Sequence, residues 1–460
     1  KDDTSSSSSV YNNEGWFGRA QYDYDSKYFG SFSFRRDASS RFHPKHRWGS
    51  FWSIGGAWII SKEDFFNVDW VDLLKIKASY GEQGNDNIGN YRYTDTYSLI
   101  NSVGMPGAVA ATKGNETITW EKGGNFNAGV EFELFNARLN GSFEAFYRKT
   151  SDMLMSFPLP ASSGFMGYYD NVGDMTNTGI EIELSGTIIR TRDFAWTMDL
   201  NFTWYKNRIS KLPEERKGPD AYDGHRGFSS GSTFYGEGLP MYTYLMKSYA
   251  GVEESTGRAL YWKNTYAKDT NGNPTKEIIG REKAYYDNAD FYLCGTALAP
   301  VYGGFSTSFE YKGFDLSANF NYQIGGQVYD SGYQALMSSP VTGGGSNFHA
   351  DVLKAWTPEN PNSDIPRFQF GDQDQAQIQD RFLTNASYLS LQNLNFGYTL
   401  PSNIVRKMYL TKLRVYFAAE NVWVWSKRQG LDPRQSITGG TNNYTYSPIR
   451  TLSGGLTVTF

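Results

Sequence analysis

From Leu139 to Arg148 the chain changes character at every second residue. Leu139, Gly141, Phe143, Ala145 and Tyr147 are apolar or glycine, while Asn140, Ser142, Glu144 and Arg148 are polar, with Phe146 the exception. A side-chain period of two predicts a strand whose two faces meet unlike surroundings. Just before it, Ala128, Val130, Phe132 and Leu134 alternate with Asn127, Gly129, Glu131 and Glu133, and Phe135-Asn136-Ala137 makes a hairpin-length link. Ile180, Ile182, Leu184 and Ile188 oppose Glu181, Glu183, Ser185 and Thr187. Past Arg190–Asp193, Phe194, Trp196, Met198, Leu200, Phe202 and Trp204 oppose Thr197, Asp199, Asn201 and Thr203. The same holds for Leu74–Tyr80, for Phe314–Ile324 and for the last residues, where Leu452, Gly454, Leu456, Val458 and Phe460 alternate with Ser453, Gly455, Thr457 and Thr459. One run changes phase: Leu389 and Leu391 give way to Leu394, Phe396, Tyr398 and Leu400. The shift at Gln392-Asn393 predicts a β-bulge.

Something apolar must cover so many amphipathic strands. No stretch approaches the roughly 20 apolar residues of a transmembrane helix. The chain is 20% charged, yet 17% of it is aromatic, with 33 Tyr, 31 Phe and 12 Trp. A polar average with heavy aromatic content is expected of a transmembrane β-barrel, whose lumen and loops are polar and whose aromatic girdles sit at both interfaces. A soluble β-sandwich would also alternate, but with shorter loops. The net charge of -4 gives no reason to expect a nucleic-acid partner. Cys294 is the only cysteine, which excludes an internal disulfide and a cysteine zinc site.

The pattern yields about fifteen strands of roughly ten residues, the length that crosses a bilayer when tilted. Short links fall near Ser26, Asn136, Thr191, Ser255 and Gly313, and moderate ones follow Ser61 and Pro401. Long ones run over 84–125, 149–178, 207–241, 265–300, 327–385 and 426–449. Short turns on one side and long loops on the other are outer-membrane barrel anatomy. With the long loops extracellular, the first strand (Phe17–Asp25) and the last both run inward, and residues 1–12 belong to an extracellular loop. Residue 1 is Lys rather than Met, so the expectation is either that processing removed a signal peptide or that this chain is a fragment. The expectation is an all-β transmembrane antiparallel barrel of which residues 1–460 are the C-terminal part. Taken alone, its two open edges would leave backbone groups unsatisfied in lipid.

Several stretches resemble the SusC-like branch of TonB-dependent outer-membrane transporters. They are FSFRRDASSRFHPKHRWGSFWSIGGAWIISKEDFF (32–66), LLKIKASYGEQGNDNIGNY (73–91), ITWEKGGNFNAGVEF (118–132), YRKTSDML (147–154) and NVGDMTNTGIEIEL (171–184). PVYGGFSTSFEYKGFDLSANFNYQIGGQVYD (300–330), SYLSLQNLNFGYTLP (387–401), LRVYFAAENVWVWSK (413–427) and GLDPR (430–434) follow in order. The resemblance implies a 22-stranded barrel, of which this chain would supply the last fifteen strands. It implies a location in the outer membrane of a Bacteroidetes-type bacterium. A plug, a TonB box and the first strands would come from an N-terminal part of the same protein. It further implies a SusD-like surface lipoprotein as lid, the TonB complex as energy source, and oligosaccharide or oligopeptide as cargo. The family often shows a dimer of lid–barrel pairs.

Enzymatic motifs are poor. His43, His46, His225 and His349 form no His-Glu-x-x-His pattern, and no Gly-x-Ser-x-Gly elbow occurs. The glycine clusters at Gly84 and Gly343–Gly345 lack a P-loop lysine. Asp269–Asn273 reads as a plain turn rather than a calcium loop. No catalytic, metal or cofactor residue is therefore assigned. The candidate ligand-binding residues are loop aromatics: Trp262, Tyr285, Tyr286, Tyr333, Phe348, Trp356 and Tyr444, with Tyr266, Phe291 and Tyr292 beside them. Aromatic faces stack on sugar rings, which favours glycan over peptide. The same rings would serve equally to pack the loops or form the girdle. The alternative function is a passive porin or structural barrel without energy coupling.

Overall fold

The computed structural model describes residues 8–102, 104–218, 221–339, 347–428, 430–441 and 446–460. Among them thirteen strands form one sheet in strict chain order. They are β1 (Asn13–Tyr24), β2 (Tyr28–Ser39), β3 (Trp48–Ile59), β4 (Val71–Asn85), β5 (Glu121–Leu134), β6 (Leu139–Ser151), β7 (Asp174–Arg190), β8 (Phe194–Lys211), β9 (Val301–Tyr311), β10 (Phe314–Ile324), β11 (Tyr388–Thr399), β12 (Lys412–Ser426) and β13 (Thr451–Thr459). The chain divides into two compact units: residues 1–188 with 199–215, and 189–198 with 216–460.

In the first unit, β1 to β7 pair antiparallel through long registers, with one step between Val71 and Leu73 where β4 meets β5. Ala128 faces Ala145, Val130 faces Phe143 and Leu134 faces Leu139 on the apolar side. The link at 135–137 takes three consecutive left-handed residues, with φ of 60°, 57° and 56° at Phe135, Asn136 and Ala137. Two contacts hold this unusual turn: Asp72 accepts the Ala137 N–H at 3.0 Å, and Trp70 stacks on Phe135 with centroids 5.5 Å apart. On the long-loop side, Phe42, Phe51, Ile88, Ile118 and Trp120 form a buried cluster that ties the β2–β3 and β4–β5 connections to β3.

In the second unit, β9 to β13 pair antiparallel, and β11 carries the expected bulge. Its register against β12 steps between Leu391 and Asn393. The apolar face carries Phe314, Phe396 and Tyr398, whose rings pack together, and Trp423 and Trp425 stand about half exposed on the same side. Small loop sheets lie between β8 and β9. One is five-stranded and includes Thr243–Lys247 and Phe291–Thr296; the other pairs Tyr249–Val252, Ala259–Lys268 and Pro274–Ala284.

These loop sheets correct one expectation. The short link near Ser255 does not join two wall strands: both its arms lie in the three-stranded loop sheet. The neighbouring Thr243–Lys247 is buried at every residue, on both faces. Alternation reports that two faces differ; it does not report whether lipid or a neighbouring loop covers the apolar one. The wall therefore has thirteen strands among the described residues rather than about fifteen. Both numbers are odd, so the first and last strands still run the same way.

Between β10 and β11, Asp330 caps the short helix α1 (Ser331–Met337) by accepting the Tyr333 N–H at 2.9 Å. The helix packs on Ala355, Ile365 and Phe382 through Met337. No helix among the described residues is long and apolar enough to cross a membrane, which says nothing of strands.

Candidate functional site: the polar face and the long loops

The polar face of the first unit is charged. Lys75 on β4 sits opposite Glu131 on β5, while Lys77 sits opposite Gly129, whose partner on β6 is Glu144. Lys75 Nζ donates to Glu131 at 2.9 Å; Lys77 Nζ lies 2.8 Å from Glu131 and 3.0 Å from Glu144. Each pair is partly exposed and contributes at most about 1 kcal/mol. The pairs mainly fix an alternating field on this face. Nearer the long loops, an open groove of about 760 Å³ is lined by Ser31, Ser33, Arg35, Asp37, Ser53, Asn125 and Asn127.

The polar face of the second unit is mostly neutral. Ser306 and Ser308 on β9, Ser317 and Asn319 on β10, and Asn393 and Asn395 on β11 follow one another across the sheet. At the short-turn end, Arg414 holds Asp315 through a two-pronged contact, with Nε 3.0 Å from Oδ1. Arg414 lies across Gly397, where a Cβ would meet its Nη2 at 2.4 Å. Glycine there lets the guanidinium lie flat on the wall.

The loop aromatics were the sequence candidates, and the structure places most of them against loop neighbours. Tyr285 donates its hydroxyl to Glu253 at 2.9 Å and carries the Arg258 guanidinium 4.1 Å above its ring. Tyr286 donates to the Ile378 carbonyl at 3.1 Å, packs edge-on to the buried Tyr261 and lies under Lys247 at 4.2 Å. Tyr292 donates to Asn264 at 2.8 Å and lies under Arg281. Tyr333 donates to Asp351 at 3.0 Å, and Arg428 stacks over it. Trp356 donates its indole N–H to the Glu254 carbonyl at 3.1 Å and leans on Gly257. Trp262 is half-buried within its strand. Phe348 packs edge-on to Phe368, and Tyr266, Phe291 and Phe348 keep 37–44% of their surface exposed. Tyr444 and Gly343–Gly345 lie outside the described residues. Tyr285 and Tyr286 are adjacent in the chain; Tyr333 packs edge-on to His349 and Phe382, and Phe348 packs on Phe368, which borders the same core.

Sequence reasoning missed the polar groups that hold these loops. Asp374, almost fully buried, accepts the Ala259 N–H at 3.1 Å and pairs with Arg258 at 3.2 Å, while Tyr261 donates to its backbone carbonyl at 2.8 Å. Lys247 is 7% exposed; burial pulls its amine below the usual lysine range, against the upward pull of Asp287 and Asp290. Its ammonium is held by the Tyr286 carbonyl and ring. Burial also pushes the Cys294 thiol up to about 12, so it stays an inert thiol. No short motif marks these residues, because each partner lies tens of residues away in the chain. His43 packs edge-on to Tyr93, with the His46 ring 6.4 Å away.

The arrangement is a polar wall with an apolar outer face and tightly cross-linked loops. The family model "TonB dependent receptor-like, beta-barrel" matches residues 1–422. The chain belongs to that family. This TonB-dependent barrel chain is 29% identical over 96% of its length to TonB-dependent receptor P3 of Formosa agariphila, covering 45% of that protein. It is 28% identical over 97% of its length to TonB-dependent receptor SusC of Bacteroides thetaiotaomicron, covering 43%. In three dimensions it matches a structure titled as the RagAB peptide transporter with a TM-score of 0.82 and 31% identity, over 98% of this chain and 48% of that one. A second match, titled as the RagAB peptide importer in the open-open state, has a TM-score of 0.79 and 29% identity and covers 98% and 47%. The chain thus spans about half the length of the relatives it matches. Membership makes it an all-β outer-membrane barrel protein of SusC-like type and not an enzyme.

Proposed function

We propose that the protein containing this chain imports oligomeric nutrients across the outer membrane, driven by the TonB complex acting on an N-terminal plug. A SusD-like lipoprotein would cap the long-loop side, which faces outside. This chain would supply wall strands and the loops that receive lid and ligand. The observation that carries the reading is that each unit's sheet is two-faced: in the first, Val130 and Phe143 lie on one face and Lys77, Glu131 and Glu144 on the other; in the second, Phe314 and Phe396 lie on one face and Ser317, Asn319, Asn393 and Asn395 on the other. A passive barrel could share that wall, but the family match favours energy coupling.

For the cargo we propose oligopeptides ahead of oligosaccharides. The aromatic argument for glycan weakens where rings such as Tyr285, Tyr286 and Tyr333 already carry a cation on one face. A wall of mixed charge and amide suits a zwitterionic chain, and the RagAB neighbour is titled a peptide transporter. The test is native mass spectrometry of the complex extracted in mild detergent from producing cells. The expected result is barrel plus lipoprotein, with residual mass spread as a peptide mixture. A regular sugar ladder reverses the cargo assignment, and a barrel that flies without a lipoprotein sinks the capped-importer reading.

A further inference from the structure

Strand registers in the second unit line up one row of polar side chains across the wall: Ser306, Asn319, Asn393, Glu420 and Thr451, on β9 to β13 in turn. Four of the five are neutral. Glu420 is exposed, and among the described residues no lysine, arginine or histidine lies within ion-pair distance of it. Glu131 and Asp315 are used differently. Glu131 is neutralised by Lys75 and Lys77, and Asp315 by Arg414.

The row also sits where the sheet is deliberately irregular. The registers of β10–β11 and β11–β12 both step beside Asn393: Gln392 is the extra residue of β11 against β10, and β12 in turn sets Asn421 and Val422 against Gln392. Directly after Glu420, Asn421 is left-handed at φ 51°, and its side chain donates to the Ile449 carbonyl at 3.1 Å. Bulges re-aim side chains, and they concentrate beside functional sites. Here the bulge turns Gln392 to hydrogen-bond Ser390 and leaves Glu420 at the end of the regular run with Asn393 as its direct cross-strand neighbour.

We propose that Glu420, with the Asn393 and Asn319 amides beside it, is a subsite for an ammonium group of the transported oligomer. The inference rests on the import reading above. An ammonium has three donors and no acceptor: the carboxylate takes one or two, and the amide oxygens take the rest. A neutral setting leaves the carboxylate without a competing internal cation. The ammonium can be the N-terminus of a peptide or a lysine side chain.

The test titrates three tetrapeptides into the full-length protein with its partner subunits: one with a free N-terminus and no lysine, the same peptide N-acetylated, and the N-acetylated peptide with one lysine. Wild type is expected to bind the free-amine peptide more tightly than the acetylated one. Glu420→Gln is expected to remove that preference, weakening the free-amine peptide by about tenfold, as for a lost hydrogen bond to a charged group. The acetylated peptide should be unaffected. The lysine peptide distinguishes a site for any ammonium, which Glu420→Gln weakens too, from one for the terminus alone. Equal binding of free and acetylated peptides by wild type overturns the subsite while leaving the import reading standing. No binding of any peptide by wild type overturns the peptide reading and the subsite together. Loss of all peptides alike in Glu420→Gln, with Asn393→Ala matching it, marks a structural role and also overturns the proposal.

Discussion

The Arg428 guanidinium carbon stands 3.2 Å from the ring centre of Tyr333, and its Nε reaches Asp330 at 2.9 Å. Asp330 is almost fully buried and already caps α1 with its other oxygen. One carboxylate therefore starts a helix in the β10–β11 loop and anchors the β12–β13 loop to it. Nearby, Ser331 donates its N–H to the Thr441 hydroxyl at 3.0 Å and its hydroxyl to the Thr441 carbonyl at 2.9 Å, and the Tyr329 N–H donates to the Gly439 carbonyl at 2.9 Å. These contacts tie the two long loops together.

Breaking that clasp should free the β12–β13 loop without unfolding the wall. Arg428→Ala and Tyr333→Ala are each expected to speed hydrogen exchange over 430–441. Their double-mutant cycle should show a coupling of about 1–2 kcal/mol, the range for a partly desolvated cation–π pair. Additive effects would refute the clasp.

A second anchor should titrate with acid. Asp432 has a side chain only 2% exposed and pairs with Arg434 at 2.7 Å; Arg434 also reaches Ser390 on the wall at 3.2 Å. Burial raises the Asp432 carboxyl, but the Arg434 hydrogen bonds and charge outweigh it and hold the carboxyl below its usual range. A depressed folded pKa means the stabilisation is complete above the unfolded pKa, about 3.9 for aspartate, and is lost as pH falls through the folded value. Limited proteolysis at 426–441 should therefore be flat from pH 8 to 5 and rise only below about pH 4. Asp432→Asn should be loose at every pH, with a local cost of about 3–5 kcal/mol for a broken buried pair.

Packing around Phe51 leaves no room for a side chain at Gly84. A Cβ there would lie 2.1 Å from the ring. Gly84→Val should destabilise the first unit by about 1–3 kcal/mol, the usual cost of overpacking. Gly18→Val, where nothing lies within 4 Å, should stay within about 0.5 kcal/mol. The heat-modifiable mobility of the folded barrel on gels reads both.

Deleting Gln392 tests the bulge. Removing it would make β11 regular against β10, with Leu389 and Leu391 kept on the apolar face, but would leave Asn421 and Val422 of β12, which now stand against Gln392, without a partner. The deletion should still insert but speed hydrogen exchange along the β11–β12 seam at 420–424, whereas Gln392→Ala should leave that seam intact and lose only the contact to Ser390.

Much of this fold was legible locally. Period-two alternation located the thirteen wall strands, the three-residue turn at 135–137 and the bulge at Gln392, because strand pleat and turn length are properties of neighbouring residues. The same alternation misread the Ser255 hairpin, since a strand covered by another loop carries the same signature as one covered by lipid. The aromatic residues of the loops were visible one by one, but their partners were not. Tyr285 meets Arg258, Tyr333 meets Arg428 and Tyr261 meets Asp374 across 27, 95 and 113 positions. Burial, charge pairing and the row that isolates Glu420 depend on which distant segments the register brings side by side. The sequence by itself determined a two-faced wall; only the tertiary structure decided what each face and each loop ring touches, because those energies belong to contacts between residues far apart in the chain.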